Sequence, residues 1–563
     1  MTPAARRSGA LEQFASRPFD LLIVGGGATG AAAARDAALR GLDVGLCDAG
    51  DFASQTSSQS SKLIHGGIRY LQYGNLPLVF EGLTERRRLM HMAPHLCRPL
   101  EFVFPGYRGE RPGVFTLAVG VSLYNALALW RPPAARGRRL SARALHELAP
   151  RLRSAGLAGA VAYVDCQTDD ARLVLEHVLD AEANGAAVAN HLRAERLLRD
   201  RRGRVVGAVL RDEETGDRFD ARARLVLSAT GPFTDSFLAD AAAGNGVPHR
   251  LRPTLGVHLV FDGARVPHGG RALVLRSPRD NRLFFILPAG PRTIVGPTDT
   301  DWSSARPPRI DDDIRARGED VAYLLEAANH AFPSLDLTPD DVLSTYAGLR
   351  PLLATSAHTP SETSREHEIA RPADGLLAIA GGKLTTLRRM GEEAVDRSIQ
   401  ALQAAGLERP LAACATADRL LPGGGPPPAS LGVAGLDADV TAHLAAAYGG
   451  RADQVLQLVA WSTDLARRID PELPYLWAEV VHAVRADLAR DVADVLRRRV
   501  PLFRDGRDQG LAAADEVAAI LTAELGWSPE RRARSLADYR AAVATSRRWR
   551  DELAPSAPAV TAP

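Results

Sequence analysis

Phe19-Asp20-Leu21-Leu22-Ile23-Val24-Gly25-Gly26-Gly27-Ala28-Thr29-Gly30 decides the fold. The apolar run over 19–24 predicts a short buried strand. It leads straight into Gly25-x-Gly27-x-x-Gly30. The alanine-rich residues 31–40 favour a helix, and Gly41 ends it as a C-cap. Residues 43–47 predict a second strand, closed by Asp48. Gly25 permits the tight turn, Gly27 lets backbone approach a pyrophosphate, and Gly30 lets helix and strand pack closely. The helix start at Ala28 and Thr29 offers free N–H groups and partial positive charge to that pyrophosphate. Asp48 follows about 20 residues on, where a carboxylate can accept ribose hydroxyls. The bare glycine pattern is weak, but strand, helix, C-cap and acidic strand end all agree in register. They predict a βαβ unit that binds a dinucleotide.

The chain has 563 residues, which predicts two or three domains. Its hydrophobic fraction of 46% is enough for large cores, and a net charge of +2 gives no reason to expect nucleic acid as a partner. Cys47, Cys97, Cys166 and Cys414 are scattered with no metal-ligand spacing, so no metal is expected and the thiols are expected to be reduced, as in the cytoplasm. Arg6 and Arg7 precede no apolar core, so no signal peptide is expected, and residues 1–17 are expected to be a flexible extension. No stretch meets the criterion for a membrane-spanning helix. Residues 114–130 come nearest, followed by Arg131, Arg136, Arg138 and Arg139. They fit either an interfacial element with cationic anchors or a buried helix before a solvated loop.

Residues 51–62 are rich in hydroxyls, including Thr56, Ser57, Ser58 and Ser61, and end at Lys62. Such composition usually marks a linker. Its place between the ribose-binding strand and Leu63-Ile64-His65-Gly66-Gly67-Ile68-Arg69-Tyr70 suggests instead that it lines a long cofactor. Helices are expected at 81–92, 141–148, 171–184, 311–331 and 387–403. Between 186 and 228 the period changes to two, a β meander that ends at Thr230-Gly231-Pro232. Strands over 255–261, 272–275, 283–288 and 293–296 predict a second, mostly antiparallel sheet. A further buried strand runs into Gly381-Gly382-Lys383-Leu384-Thr385. Domain boundaries follow: an oxidoreductase region over 18–420, a Pro/Gly linker over 421–432, a helical domain over 433–550, and a disordered tail over 551–563. The cofactor-binding parts fall near 18–80, 170–235 and 365–405, with substrate-domain parts near 81–169 and 250–364.

FAD is favoured over NAD. Strand-plus-glycine elements return near Gly231 and Gly381, and no second G-x-G-x-x-G lies between a strand and a helix. A flavin without a nicotinamide site must be reduced by the substrate itself. The helix opening at Gly381-Gly382-Lys383 could stabilise negative charge on a reduced flavin.

These motifs are collinear from about 19 to 391, and together they resemble the FAD-dependent (aerobic, respiratory) glycerol-3-phosphate dehydrogenase family. The resemblance rests on the glycine fingerprint, Ser57 to Tyr70, Asp169-Asp170-Ala171-Arg172, Ala229 to Pro232, Gly256-Val257-His258, Thr298-Asp299, Leu349-Arg350-Pro351 and Gly381 to Thr386. It implies an α/β fold: a Rossmann-like FAD-binding domain of the D-amino-acid-oxidase-like type, interleaved with an antiparallel substrate domain and followed by an all-helical C-terminal domain. It implies oxidation of sn-glycerol 3-phosphate to dihydroxyacetone phosphate by hydride transfer to FAD N5, with electrons passed to a membrane quinone. Some relatives use oxygen instead. Peripheral contact with the cytoplasmic face of the inner membrane is expected, through 114–130 or the basic C-terminal helices, with a homodimer as a candidate assembly.

A phosphate monoester needs several cations, and Arg69, Arg350, Arg365 and Lys383 lie in or beside the motifs. Tyr70 is a candidate substrate hydrogen bonder. His258 is the first candidate for the base that takes the hydroxyl proton, and His65 the second. Another FAD enzyme acting on an amino or hydroxy acid would need fewer cations, and a non-catalytic flavoprotein would not be bleached by a small alcohol.

Overall fold

The structure, a computed structural model, describes residues 2–68, 71, 75–111, 113–127, 137–241, 250–302, 306–354, 366–433 and 435–553. The quoted stretch forms the centre of its first sheet. Strand Phe19–Val24 is buried along its whole length. It pairs in parallel with Val44–Cys47 on one side and with Arg218–Ser228 on the other. Leu376–Gly381 adds in parallel beyond Arg218–Ser228, and Ala187–Ala189 beyond Val44–Cys47. Strands buried on both faces read as continuous apolar runs, which is why these were legible. Helix Ala28–Leu39 packs on this sheet through Ala31, Ala33, Ala34 and Ala37, with little side chain to hold it away.

The meander expected over 186–228 is present as Leu192–Arg199, Val205–Asp212 and Arg218–Ser228, paired antiparallel. Among the described residues the second sheet has ten strands. Thr254–Asp262 is paired on its two sides by Arg292–Gly296 and Val342–Arg350. Two of its strands, Arg98–Tyr107 and Leu157–Gln167, lie in the region read only as substrate domain. Pro99 and Pro105 on the first, and Gly159 on the second, mask the alternation. The pairing is antiparallel throughout except where Ala272–Arg276 meets Arg98–Tyr107 in parallel. Helix Gly318–Ala331 begins later than expected, at a first turn carrying Glu319 and Asp320.

Several expectations are corrected. Residues 1–17 are not loose: Thr2 caps helix Pro3–Ser16, whose Phe14 is fully buried against Phe19 with ring centroids 5.2 Å apart. Arg6 and Arg7 pair with Glu182 and Asp212 across that contact. The Pro/Gly stretch after 421 is packed as well. Leu421 is buried, and the Gly423 N–H donates to Glu176 at 3.1 Å. Of the expected tail, residues 551–553 complete helix Trp549–Leu553, and 554–563 lie outside the described residues. The basic run of the C-terminal helices faces inward: Arg490, Arg498 and Arg499 are buried and paired with Glu214, Asp51 and Asp494.

Of residues 114–130, the structure describes 114–127 as one helix, and 128–130, with Arg131 and Arg136, lie outside the described residues. Helix Val114–Leu127 buries Val121 and Tyr124 while Phe115 is 72% and Val119 55% exposed. No helix among the described residues is long and apolar enough to cross a membrane. All four cysteines are free, and Cys47, Cys97 and Cys166 are buried.

Candidate active site

The carboxyl ends of the parallel strands open into a cavity of about 1210 Å³ that runs on beneath the second sheet. Gly25, Gly27, Ala28, Thr29 and Asp48 line one end. Gly25 has φ +107°, and a Cβ there would lie 2.6 Å from the Ala229 carbonyl oxygen. At Gly30 a Cβ would lie 1.8 Å from the Gly25 carbonyl oxygen. Gly30 therefore sets the contact between helix and strand and faces away from the cavity. Gly27 is the N-cap of the helix, and the Ala28 N–H behind it donates to Ser57 Oγ at 2.9 Å. Asp48 accepts the N–H groups of Gly26 at 2.6 Å and Gly50 at 2.9 Å, which fixes its carboxylate at the strand end. Burial nevertheless pushes its pKa up to about 6.

Thr56, Ser57, Ser61, Leu63, His65, Gly67, Thr230, Gly231, Gly381, Gly382, Lys383, Leu384 and Thr385 line the same cavity. Three residues of the hydroxyl-rich segment and its continuation have other surroundings. Lys62 is buried behind the lining and pairs with Asp170 at 2.5 Å, its ammonium also reaching the Ser58 carbonyl at 3.1 Å. Ser58 Oγ points back to the Gln55 carbonyl. The Gly66 N–H donates to the Tyr124 hydroxyl at 2.8 Å, and Tyr124 donates to Asp165, which Arg86 neutralises. Asp170 and Tyr124 were missed as supports. The Asp169-Asp170 pair at a helix start was the visible signal for the first. Nothing local marks the second, which comes from the helix that also shapes the apolar wall.

His258 lies mid-strand in the second sheet, opposite Tyr346 in register, and the two rings stack at 4.6 Å. Its Nε2 lies 2.9 Å from Ser61 Oγ, while Nδ1 is buried without a hydrogen-bond partner. Burial, with Arg350 and Lys62 adding to it, drives the imidazole pKa well below its ordinary value, so the ring is neutral. Arg350, at the end of Val342–Arg350, donates from Nη1 to Asp299 at 2.9 Å and from Nη2 to the Thr298 carbonyl at 2.8 Å. Gly256 makes room for it: a Cβ there would lie 2.4 Å from its guanidinium. Thr385 joins the Gly381–Thr385 segment to the continuation of the hydroxyl-rich one, its Oγ1 exchanging hydrogen bonds with the backbone of His65 at 3.1 and 3.2 Å. His258, Arg350 and Lys383 thus share one cavity with the glycine cradle. Arg69, Tyr70 and Arg365 lie outside the described residues. The arrangement offers an elongated dinucleotide cradle, a neutral imidazole and fixed cations, which suits the oxidation of an anionic alcohol.

The comparisons agree with this geometry. The model of the FAD dependent oxidoreductase family matches residues 20–397, and that of the C-terminal domain of alpha-glycerophosphate oxidase matches 414–532. A glycerol-3-phosphate dehydrogenase from Mycobacterium leprae is 36% identical over 555 residues, covering 96% of this chain and 90% of its own. One from Synechocystis is 34% identical over 543 residues, covering 92% and 95%. The chain belongs to the FAD-dependent glycerol-3-phosphate dehydrogenase family. Among solved structures, the glycerol-3-phosphate dehydrogenase from Bacillus halodurans complexed with FAD matches with a TM-score of 0.78 at 29% identity, covering 97% of this chain and 98% of that one. A glycine oxidase from Geobacillus kaustophilus, at 21% identity and a TM-score of 0.50, shares the fold over 68% of this chain and 95% of its own. FAD is the cofactor of this family, and the cradle fits it. The glycine approach at Gly27, the helix start and the Asp48 carboxylate would hold the diphosphate and a ribose, and the cavity continues to the Gly381–Thr385 segment.

Proposed function

We propose that the chain oxidises sn-glycerol 3-phosphate to dihydroxyacetone phosphate and passes the electrons to a membrane quinone. The observation that carries this proposal is the convergence of a neutral His258, Arg350 and Lys383 on the cavity that holds the glycine cradle. The family's named members support the substrate. Bound FAD supplies the two-electron acceptor. Arg350, held by Asp299, is a fixed guanidinium that binds a phosphate oxygen, and Lys383 adds a second cation. Arg69, Tyr70 and Arg365 are proposed as further substrate contacts. The His258 ring takes up the C2-hydroxyl proton as the hydride leaves, with Ser61 and Tyr346 fixing its orientation. His65 packs beside the site as a second candidate, positioned by Thr385.

An apolar surface supports quinone and a peripheral membrane position. Phe115, Val119 and Leu123 are exposed on helix Val114–Leu127, Val119 and Leu123 also lining the cavity, and Leu76 and Phe80 are exposed on the helix Leu76–Met92 that contacts it. The same helix sends Leu117 and Val121 into the cavity wall with Phe102, Phe104 and Phe285. Gly137 abuts its Val121 and Asn125, which brings exposed Arg138 and Arg139 alongside to meet anionic headgroups. Oxygen is the alternative acceptor, favoured by the match of 414–532 to a glycerophosphate oxidase domain. The test supplies glycerol 3-phosphate with either a short-chain quinone or air. Quinone reduction without stoichiometric hydrogen peroxide is expected, and peroxide released at the rate of substrate loss would assign the oxidase reaction. F115D/V119D should lose binding to anionic vesicles; retained binding removes this face from the membrane contact.

A further inference from the structure

The C-terminal helical region reaches the cofactor site from behind. Asp51, three residues past the ribose-facing Asp48, is buried. It takes Arg498 Nε at 2.5 Å, Arg499 Nη2 at 2.9 Å and a short bond from Arg499 Nη1, with the Asn190 amide at 2.9 Å. The two arginines stand side by side because Val495–Arg499 is a turn of π-helix, a geometry that recurs at functional sites. Arg498 also bonds Asp494 at 2.9 Å, and His191 meets Asp494 at 2.8 Å. With two guanidinium groups already filling the space between these carboxylates, the cluster is an ion-pair network and no cation site.

From Asp51 the chain runs directly under the glycine loop. Phe52 packs so closely beneath Gly26 that a Cβ there would lie 2.3 Å from the ring, and the Ala53 N–H donates to the Gly26 carbonyl at 3.1 Å. On the other side of Asp51, the Gly50 and Asp48 carbonyls accept the N–H groups of His191 at 2.8 Å and Leu192 at 2.7 Å. A second connection leads to the hydroxyl-rich segment. Arg172 donates to the Arg499 carbonyl at 2.8 Å, and Asp170 on the same helix accepts from Ser60 Oγ at 2.7 Å and pairs with Lys62. The loop at Asp51 is therefore braced by the side chains of both arginines, and the hydroxyl-rich segment by the Arg499 main-chain carbonyl through Arg172 and its helix.

We infer that Arg498 and Arg499 are positioning residues for FAD, and that docking of the C-terminal helices and occupancy of the cofactor site are thermodynamically coupled. A buried carboxylate stripped of one guanidinium relaxes toward water, and here it would carry Phe52 and the glycine loop with it. Coupling is reciprocal, so the cofactor must also hold the helices in place. This inference rests on FAD as cofactor and is independent of the substrate and acceptor.

The test uses the full-length holoenzyme. FAD release on dilution is followed by recovery of flavin fluorescence, and cleavage of the 433–553 region by a dilute protease is followed with and without added FAD. R498M and R499M should release FAD about tenfold faster or more. L145A, which opens a cavity at a fully buried residue in the core of the second sheet and outside the C-terminal helices, should release it at the wild-type rate even where its Tm falls as far. In the wild type, saturating FAD should slow cleavage of the helical region about tenfold. Unchanged FAD release in folded R498M and R499M overturns the inference, as does equal acceleration in L145A. Should both arginine variants fail to fold, a wild-type cleavage rate indifferent to FAD overturns it alone.

Discussion

The two ends of the cavity are built in different ways. The residues of the glycine cradle come from one continuous run, Phe19 to Asp48, whose Gly25 and Gly30 are packed directly against backbone. The opposite end brings His258 from mid-strand, Arg350 from the end of an adjacent strand, and Lys383 from the turn after a strand of the other sheet. Backbone sterics decide the first end. Long-range pairing and buried charge decide the second. A fault in the cradle should therefore remove the cofactor, while a fault at the opposite end should leave a yellow protein that reacts slowly.

The largest effect is expected at Gly30. A Cβ there meets backbone, which cannot move aside as a side chain would. Overpacking of about 3 kcal/mol corresponds to roughly a hundredfold, so G30A should purify largely free of flavin. Normal FAD content in G30A would show that the contact yields. H258A should come next, keeping FAD while the rate of flavin reduction falls about a hundredfold or more. A near-normal rate would remove His258 from the chemistry. R350K should follow, with KM raised about tenfold and kcat less affected, because lysine cannot hold Asp299 and the Thr298 carbonyl and still donate to phosphate. An unchanged KM would place the phosphate elsewhere.

The last effect concerns pH and the far side of the cradle, and is read in stability and not in flavin content or turnover. Burial opposes the charged form of His191, but Asp494, Asp51 and Asp491 outweigh it and raise its pKa from 6.5 to about 9. Asp48 and Glu214 also face it. Because the folded value is the higher one, this stabilisation is full below pH 6.5 and is lost as pH rises through 9. It is worth about 3 kcal/mol at most, a few degrees in Tm. Tm of the wild type should fall between pH 6.5 and 9 more steeply than that of H191Q, and parallel curves would show that His191 does not gain charge on folding.

The same contrast explains what could be read in the residues alone. The parallel strands were legible because burial on both faces leaves uninterrupted apolar runs. Strand Arg98–Tyr107 was not, since its prolines look like breaks and only its place beside Leu157–Gln167 makes it a strand. Lys62 sits among cofactor-lining hydroxyls in sequence, yet its positive φ of 57° turns it behind them, onto Asp170. The arginines from 490 to 499 read as a cationic surface because their acidic partners, Asp51 and Glu214, are far away in the chain. Helix Pro3–Ser16 carried its own signals in Thr2 and Pro3, a cap and a favoured first residue. His258 was readable as a candidate base, but its stacking on Tyr346 and its bond to Ser61 are products of sheet register.

The central claim is that the cradle and the cationic end act together on one phosphorylated alcohol. Anaerobic mixing of the holoenzyme with glycerol 3-phosphate, followed at the flavin absorbance band, tests it most directly. The account predicts rapid bleaching by glycerol 3-phosphate and none by glycerol at the same concentration, since glycerol offers nothing to Arg350 and Lys383. A flavin that stays yellow with glycerol 3-phosphate, or that glycerol bleaches equally well, would contradict it.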